Sequence, residues 1–422
     1  MLARWGDRRR VQLEGVMTCL VCGSESVAEH MDLGHHPVAT FFLDSPDQTE
    51  RGVRLSLGQC SNCGTIQLMK PVPHEELVPP TFISAREPEE HLDRVVEQIV
   101  ALPYVTTDSV VGALTYKDDT TLERFRRKGF DKTWRVQLDE DLGVTDPAAN
   151  IETVQKLTTP ARMAQVAARY GQADIFIVRH IAEHAEDPQA FVRGISELVK
   201  PGGIVMMEVP DCTASLHLKD YCMIWEEHSL YLTPETFGQL SSLGGFEQIH
   251  LDVYPLPFEN SLVQLARKTA ASQPLQIDPA AKAQVHLLAD YAQAYEPAKH
   301  GLRATLERVR AERGPIALFG AGHLACAFAN FMEVSDLIDF VADDTPEKQG
   351  RFLPGARLPI VPSRELVDRN VALCLLALSI NNEDKVIARN KSFVQKGGRF
   401  QSIFRASPRS VFAQTDRVRS TG

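Results

Sequence analysis

Four cysteines fall in two matched knuckles, Cys19-Leu20-Val21-Cys22-Gly23 and Cys60-Ser61-Asn62-Cys63-Gly64. In each, the glycine permits the turn that points backbone amides at sulfur. Four thiolates from two such turns are the tetrahedral set of a closed structural zinc site. Redox chemistry is the competing reading, but it uses one CxxC pair at a helix start. A closed S4 site has no open coordination position, so catalysis must lie elsewhere. Ile224-Trp225-Glu226-Glu227-His228-Ser229-Leu230-Tyr231 sets an imidazole beside carboxylates. Imidazole, with an unperturbed pKa of about 6.5, suits removal of a proton alpha to a carbonyl near pH 7. Read alone, the segment equally describes a solvated turn before a core tyrosine. Arg179-His180-Ile181-Ala182-Glu183-His184 adds two histidines spaced HxxxH, without the second-position glutamate of an HExxH zinc protease.

The elements that must position these groups follow a β-α rhythm. Residues 17–80 are rich in Cys, Pro and turns, with strand-like runs at 53–57 and 65–68. Residues 88–103 read as a helix with Leu92, Val95, Val96, Ile99 and Val100 on one face. Strands at 109–114, 134–138, 175–178 and 203–209 alternate with helices at 122–128, 160–170 and 188–199, the last strand following a Pro201-Gly202-Gly203 turn. This implies a largely parallel sheet covered by helices. The 179–184 segment then sits at the carboxyl edge, where open α/β folds bind ligands. Residues 279–312 read as a helical connector. From Pro315 the rhythm restarts, with strands at 316–319, 338–342 and 371–378 and a helix from His323. The predicted fold is α/β: a zinc-binding module at 17–80, a Rossmann domain at 88–270, the connector, and a C-terminal Rossmann-like domain at 313–412.

A chain of 422 residues exceeds one ordinary core. The net charge of −10 disfavours nucleic-acid partners, which need a basic face. No apolar run approaches the ~20 residues needed to cross a bilayer, and the N-terminus lacks the apolar region of a secretory signal. A cytoplasmic protein with no membrane partner is expected. The four remaining cysteines stand singly in apolar surroundings, as inert core thiols do.

The order of CxxCG…CxxCG module, Rossmann unit, EEH segment and second Rossmann unit resembles the sugar C-methyltransferase family. The resemblance covers nearly the whole chain from residue 17. It implies a structural zinc on Cys19, Cys22, Cys60 and Cys63, a middle domain that binds S-adenosylmethionine (SAM), and a nucleotide-linked keto-deoxysugar substrate. Residues 224–231 match the family's Tyr-x-Glu-His-x-x-Tyr stretch, which places Glu227 and His228 on its catalytic pair. His184 falls on an active-site histidine. The implied reaction is deprotonation beside a ketone, after which the enolate carbon attacks the SAM methyl group. Cofactor contacts are expected from Gly112, Tyr116, Asp118, Arg179 and His180, and from Asp139 toward ribose hydroxyls.

This chain departs from the family at three places. Trp225 stands where the family carries tyrosine. Residues 111–120 keep one glycine, Gly112, of a turn close to Ile-Gly-Ser-Asn-Asp-Gly. Pro80-Thr81-Phe82-Ile83-Ser84 replaces a Tyr-x-Tyr-x-Ser stretch. In the second unit, Gly320-Ala321-Gly322 opens a helix, and Asp343 and Asp344 end a strand where a ribose-binding acid belongs. Asp344-Thr345-Pro346-Glu347-Lys348-Gln349-Gly350 resembles the family's C-terminal domain, which implies support of the substrate's nucleotide; NAD binding is the alternative. Two rival functions share the fold: enolisation without methyl transfer, as in an epimerase or isomerase, and non-catalytic nucleotide-sugar binding.

Overall fold

The computed structural model describes residues 17–80, 87–256, 259–269, 275 and 277–413. The Phe82 segment and the frayed N-terminal extension expected before Met17 lie outside them. Three sheets organise the chain. The first is antiparallel, in the order β1 (Val27–Pro37), β2 (Gly52–Cys60), β3 (Ile66–Leu68) and β8 (Leu230–Tyr231). Its last strand comes from the EEH segment, so the cysteine-rich module does not close its sheet alone. It pairs directly with the segment that carries the candidate base.

The second sheet runs β5 (Thr133–Arg135), β4 (Val111–Ala113), β6 (Ala173–Arg179), β7 (Val199–Pro210), β10 (Ser261–Lys268) and β9 (Phe246–Tyr254). β5, β4, β6 and β7 are mutually parallel, and β10 runs antiparallel to both of its neighbours. The buried runs of β6 and β7 are near-continuously apolar, as strands covered on both faces must be. Sequence patterning missed β1, β9 and β10. Five of the nine residues of β9 are exposed, so its pattern is largely polar. Pro201-Gly202-Gly203 is not a turn before β7 but an irregularity inside it. Pairing jumps from Ala173↔Val199 to Ile175↔Ile204, and Gly202 takes φ +80°.

The third sheet is wholly parallel, in the order β13 (Ile360–Val361), β12 (Phe340–Ala342), β11 (Ile316–Phe319), β14 (Leu373–Leu376) and β15 (Arg399–Ser402). The connector forms three helices, Pro279–Ala283, Leu287–Gln293 and Tyr295–Arg313. Its buried Leu288, Tyr291, Leu302 and Leu306 join one apolar cluster with Leu55, Leu57 and Ile66 of the first sheet and Leu318 and Phe328 of the third unit. That shared core fixes the first sheet, and the EEH segment paired to it, against the C-terminal unit. No helix among the described residues is long and apolar enough to cross a membrane.

Candidate active site and zinc centre

The four knuckle sulfurs lie within 4.8 Å of one another. Cys19–Cys63 and Cys22–Cys60 are each 3.6 Å apart. Zn–S bonds of about 2.3 Å in a tetrahedron separate sulfurs by about 3.8 Å, so the set fits zinc. Gly23 and Gly64 adopt φ of +69° and +75°, the left-handed turn expected of each knuckle. Thr65 and Ser24 hydroxyls approach Cys63 and Cys60 at 3.2 and 3.4 Å, and the Asn62 amide approaches Cys22 at 3.6 Å. Such hydrogen bonds stabilise thiolate charge around a metal. Cys60 is fully buried.

The residue after the EEH motif is tied to this module. Leu68 N–H donates to the Ser229 carbonyl at 3.0 Å, and Ile66 and Gln67 pair with Tyr231 and Leu230. Within the turn, Tyr231 Oη accepts from Trp225 N–H at 3.1 Å and donates to the Trp225 carbonyl at 2.9 Å. Ala39 N–H donates to Glu226 at 2.6 Å. Ser229 N–H donates to the Glu183 carbonyl at 2.8 Å, which brings the EEH turn against the 182–184 turn that follows β6.

There His184 meets His228 edge to face, with ring centroids 4.7 Å apart. Nitrogens of both lie with a Glu183 oxygen inside a 4.8 Å group, and His184, Glu152 and Glu227 form a second such group. Burial lowers His184 to about 4. Burial, then the charges of His184 and His323, holds His228 well below the usual imidazole range. Both are therefore neutral at pH 7 and carry a lone pair. Burial, reinforced by Glu152 and Glu226, pushes Glu227 well above the carboxylate range, so it stands as a protonated donor. Glu152 was not picked out from the sequence. It lies in the helix Ile151–Leu157, far from any motif, and only the fold places its carboxylate 2.5 Å from His184 Nδ1.

The expected cofactor residues scatter more widely. Gly112 sits inside β4, where a Cβ would meet Phe176 at 2.7 Å and Trp134 at 2.9 Å, so its smallness serves sheet packing. Asp118 turns into its own loop and accepts Leu114 and Thr115 N–H groups at 3.0 and 2.7 Å. The amides that a glycine turn would offer a ligand are thereby occupied. Burial raises Asp118 to about 7. Tyr116 is half-buried in that loop, and Asp139 is exposed four residues beyond β5, which ends at Arg135.

Arg179 is 1% exposed and donates Nε to Glu208 at 2.5 Å and Nη1 to the Lys117 carbonyl at 2.5 Å. Its Nη2 has no hydrogen-bond partner. A buried, unpaired guanidinium nitrogen at the carboxyl edge of the sheet fits an anionic group such as the SAM carboxylate. Glu208 also accepts from His91 at 2.6 Å and Ser261 at 2.5 Å. His180 holds φ +48°, rare for a side chain other than glycine, with its ring 3.3 Å from Glu208. Burial works against its charge, but Glu208 and Glu87 outweigh that and raise it. The arrangement gives His180 a structural role at the edge.

Trp225 stacks on His323 at 4.3 Å with 15° between planes, joining the EEH turn to the helix start of the third sheet. The cleft beside them, lined by His36, Ala39, Glu226 and Asn330, holds 10 Å³, room for about one water. In the second unit Asp343 accepts Ala321 and Thr345 N–H groups at 2.7 and 2.8 Å, and Asp344 caps Ser363. Both acids are committed to their own loops.

Comparison with known proteins agrees with the two ends of this architecture. The model described as "Putative zinc binding domain" matches residues 19–77, and "C-methyltransferase C-terminal domain" matches residues 270–404. Across 90% of this chain and 94% of the relative, the sequence is 25% identical to the C-methyltransferase NovU of Streptomyces niveus. Solved structures with similar segments include the 1,6-didemethyltoxoflavin-N1-methyltransferase of Burkholderia thailandensis, with bound S-adenosylhomocysteine. It is 14% identical over 43% of this chain and 77% of that one, with TM-score 0.29. A SAM-dependent methyltransferase from Methanosarcina mazei is 12% identical over 42% of this chain and 98% of that one, with TM-score 0.29. The chain is a methyltransferase-class enzyme. Its zinc-binding and C-terminal domains are those of the C-methyltransferases, the family its sequence resembles.

Proposed function

We propose that the chain is a SAM-dependent C-methyltransferase acting in the cytoplasm, alpha to a ketone on a nucleotide-linked deoxysugar. The observation that carries this is the convergence of neutral His184, neutral His228 and protonated Glu227 beside the carboxyl edge of a methyltransferase-type sheet. His228 takes the alpha proton on its ring nitrogen. Glu227 donates a hydrogen bond to the oxygen on which enolate charge develops. His184 orients the substrate. When bound, SAM supplies an electrophilic methyl group. Arg179 Nη2 would hold its carboxylate and Asp139 its ribose hydroxyls. His180 supports the edge through Glu208. The division at 17–80, 88–270, 279–312 and 313–412 is our proposed domain plan, with the last unit facing the substrate's nucleotide.

A second reading rests on one observation: Asp118 occupies the amides of Leu114 and Thr115. That favours an enolising enzyme of the same fold that works without SAM. The two separate on a dTDP-linked 4-keto-6-deoxyhexose in deuterated water. A methylated product formed only with SAM, and lost in His228→Ala, supports methyl transfer. Deuterium entering the sugar without SAM, and no methylated product with it, supports the second reading.

A further inference from the structure

Replacing a carbon-bound hydrogen by methyl releases one proton per turnover. In a site this buried, the base that takes it cannot pass it directly to bulk water. We propose that Glu152 is the proton outlet of the site, a role that rests on the enolising chemistry proposed above.

Glu152 lies in the first turn of its helix, which Asn150 caps by accepting Glu152 N–H at 3.1 Å. It is 1% exposed, and one carboxyl oxygen lies 2.5 Å from His184 Nδ1. Its other oxygen has no hydrogen-bond partner. A carboxylate on Nδ1 fixes the imidazole tautomer and leaves Nε2 as the acceptor facing Glu183, 4.0 Å away, and His228.

The sequence of transfers balances. The substrate C–H bond breaks and an N–H bond forms on His228. That proton passes to His184 Nε2, across a gap within 4.8 Å that one water or a small ring movement spans. As Nε2 gains its proton, Nδ1 releases its own to Glu152, which becomes a neutral carboxylic acid while His184 remains neutral. Burial, with the charges of Glu186 and Glu183, pushes Glu152 well above the ordinary carboxylate range, so it competes with imidazole for a proton. Glu186 lies toward the surface, bonded at 2.6 Å to Lys156, whose side chain is 45% exposed. The proton leaves Glu152 in that direction, and the His184 tautomer resets.

Glu152→Gln keeps an acceptor beside His184 but cannot take up the proton, which separates transport from positioning. The first measurement needs no substrate. The imidazole 15N–1H spectrum of the wild type should show a far-downfield Nδ1–H from His184, absent in Glu152→Gln, with zinc content and melting temperature retained. The second is rapid-quench methylation of the dTDP-linked 4-keto-6-deoxyhexose. The variant should make about one product per site at the wild-type rate and then slow about 10²-fold, within the range for loss of a proton-transfer group. Equal slowing of first and later turnovers would overturn the outlet and leave Glu152 as a positioning residue. An unchanged steady state, or no downfield resonance in the wild type, would also overturn it. Failure of the wild type to methylate defeats the function proposed above instead, because the resonance is read independently of substrate.

Discussion

Leu68 donates its backbone N–H to the Ser229 carbonyl at 3.0 Å, joining the strand after the second cysteine knuckle to the residue after His228. The metal module therefore acts on the candidate base through β-pairing, some distance from any reacting atom. The closed sulfur set and the catalytic turn are one mechanical unit, which makes zinc a structural requirement of activity.

Chelation of zinc, or Cys60→Ser, should lower activity by about 10²-fold or more, as for a displacement of about 1 Å of a catalytic group. Metal analysis should return one zinc per wild-type chain, and restored zinc should restore chelated activity. Full activity in a zinc-free, folded protein would show that the module does not hold the site.

His228→Ala should reduce kcat by about 10²- to 10⁴-fold, the usual contribution of a positioned general base. Ligand affinity, measured by calorimetry, should stay within a few-fold. A variant that loses affinity but keeps kcat would assign His228 to binding.

Trp225 and His323 should be energetically coupled. Their stack predicts that the double alanine variant deviates from additivity by about 0.5–1.5 kcal/mol in urea unfolding. Strict additivity would mean that the contact contributes nothing to holding the two units together.

Burial raises Glu226 to about 7 from an ordinary value of 4.5. The folded state therefore binds this proton more tightly than the unfolded chain does. Its contribution to stability is fully present below the unfolded pKa and is lost as pH rises through about 7. The loss amounts to a few kcal/mol at most, at about 1.4 kcal/mol per pKa unit. Glu226→Gln should gain melting temperature over wild type as pH rises from about 5 to 8. A constant difference across that range would remove the assignment. His184, lowered to about 4, works in the opposite direction: its contribution is present above about pH 6.5 and lost as pH falls toward 4.

What was legible in the sequence follows from the range of the physical signal. The knuckles are local, so Cys19, Cys22, Cys60 and Cys63 could be read from spacing alone. β6 and the core of β7 are continuous apolar runs bounded by turn residues, and their positions came out close to the structure. β9 shows little buried periodicity, and β10 is held between β7 and β9 by pairing that no local pattern encodes. His184 and Glu227 were visible in motifs. Glu152 was not, because its meeting with His184 spans 32 positions and depends on how one helix docks. The altered glycine turn could be seen, but not that Asp118 would fill it.

The central claim is tested most directly by calorimetric titration of SAM and S-adenosylhomocysteine into the zinc-loaded protein, with Asp139→Ala and Arg179→Gln alongside. Each titration is run with and without the dTDP-linked 4-keto-6-deoxyhexose. Micromolar binding, weakened in both variants, is the result this account predicts. No heat from either ligand, with the sugar present or absent, would contradict methyl transfer and leave the SAM-independent enolising reading in its place.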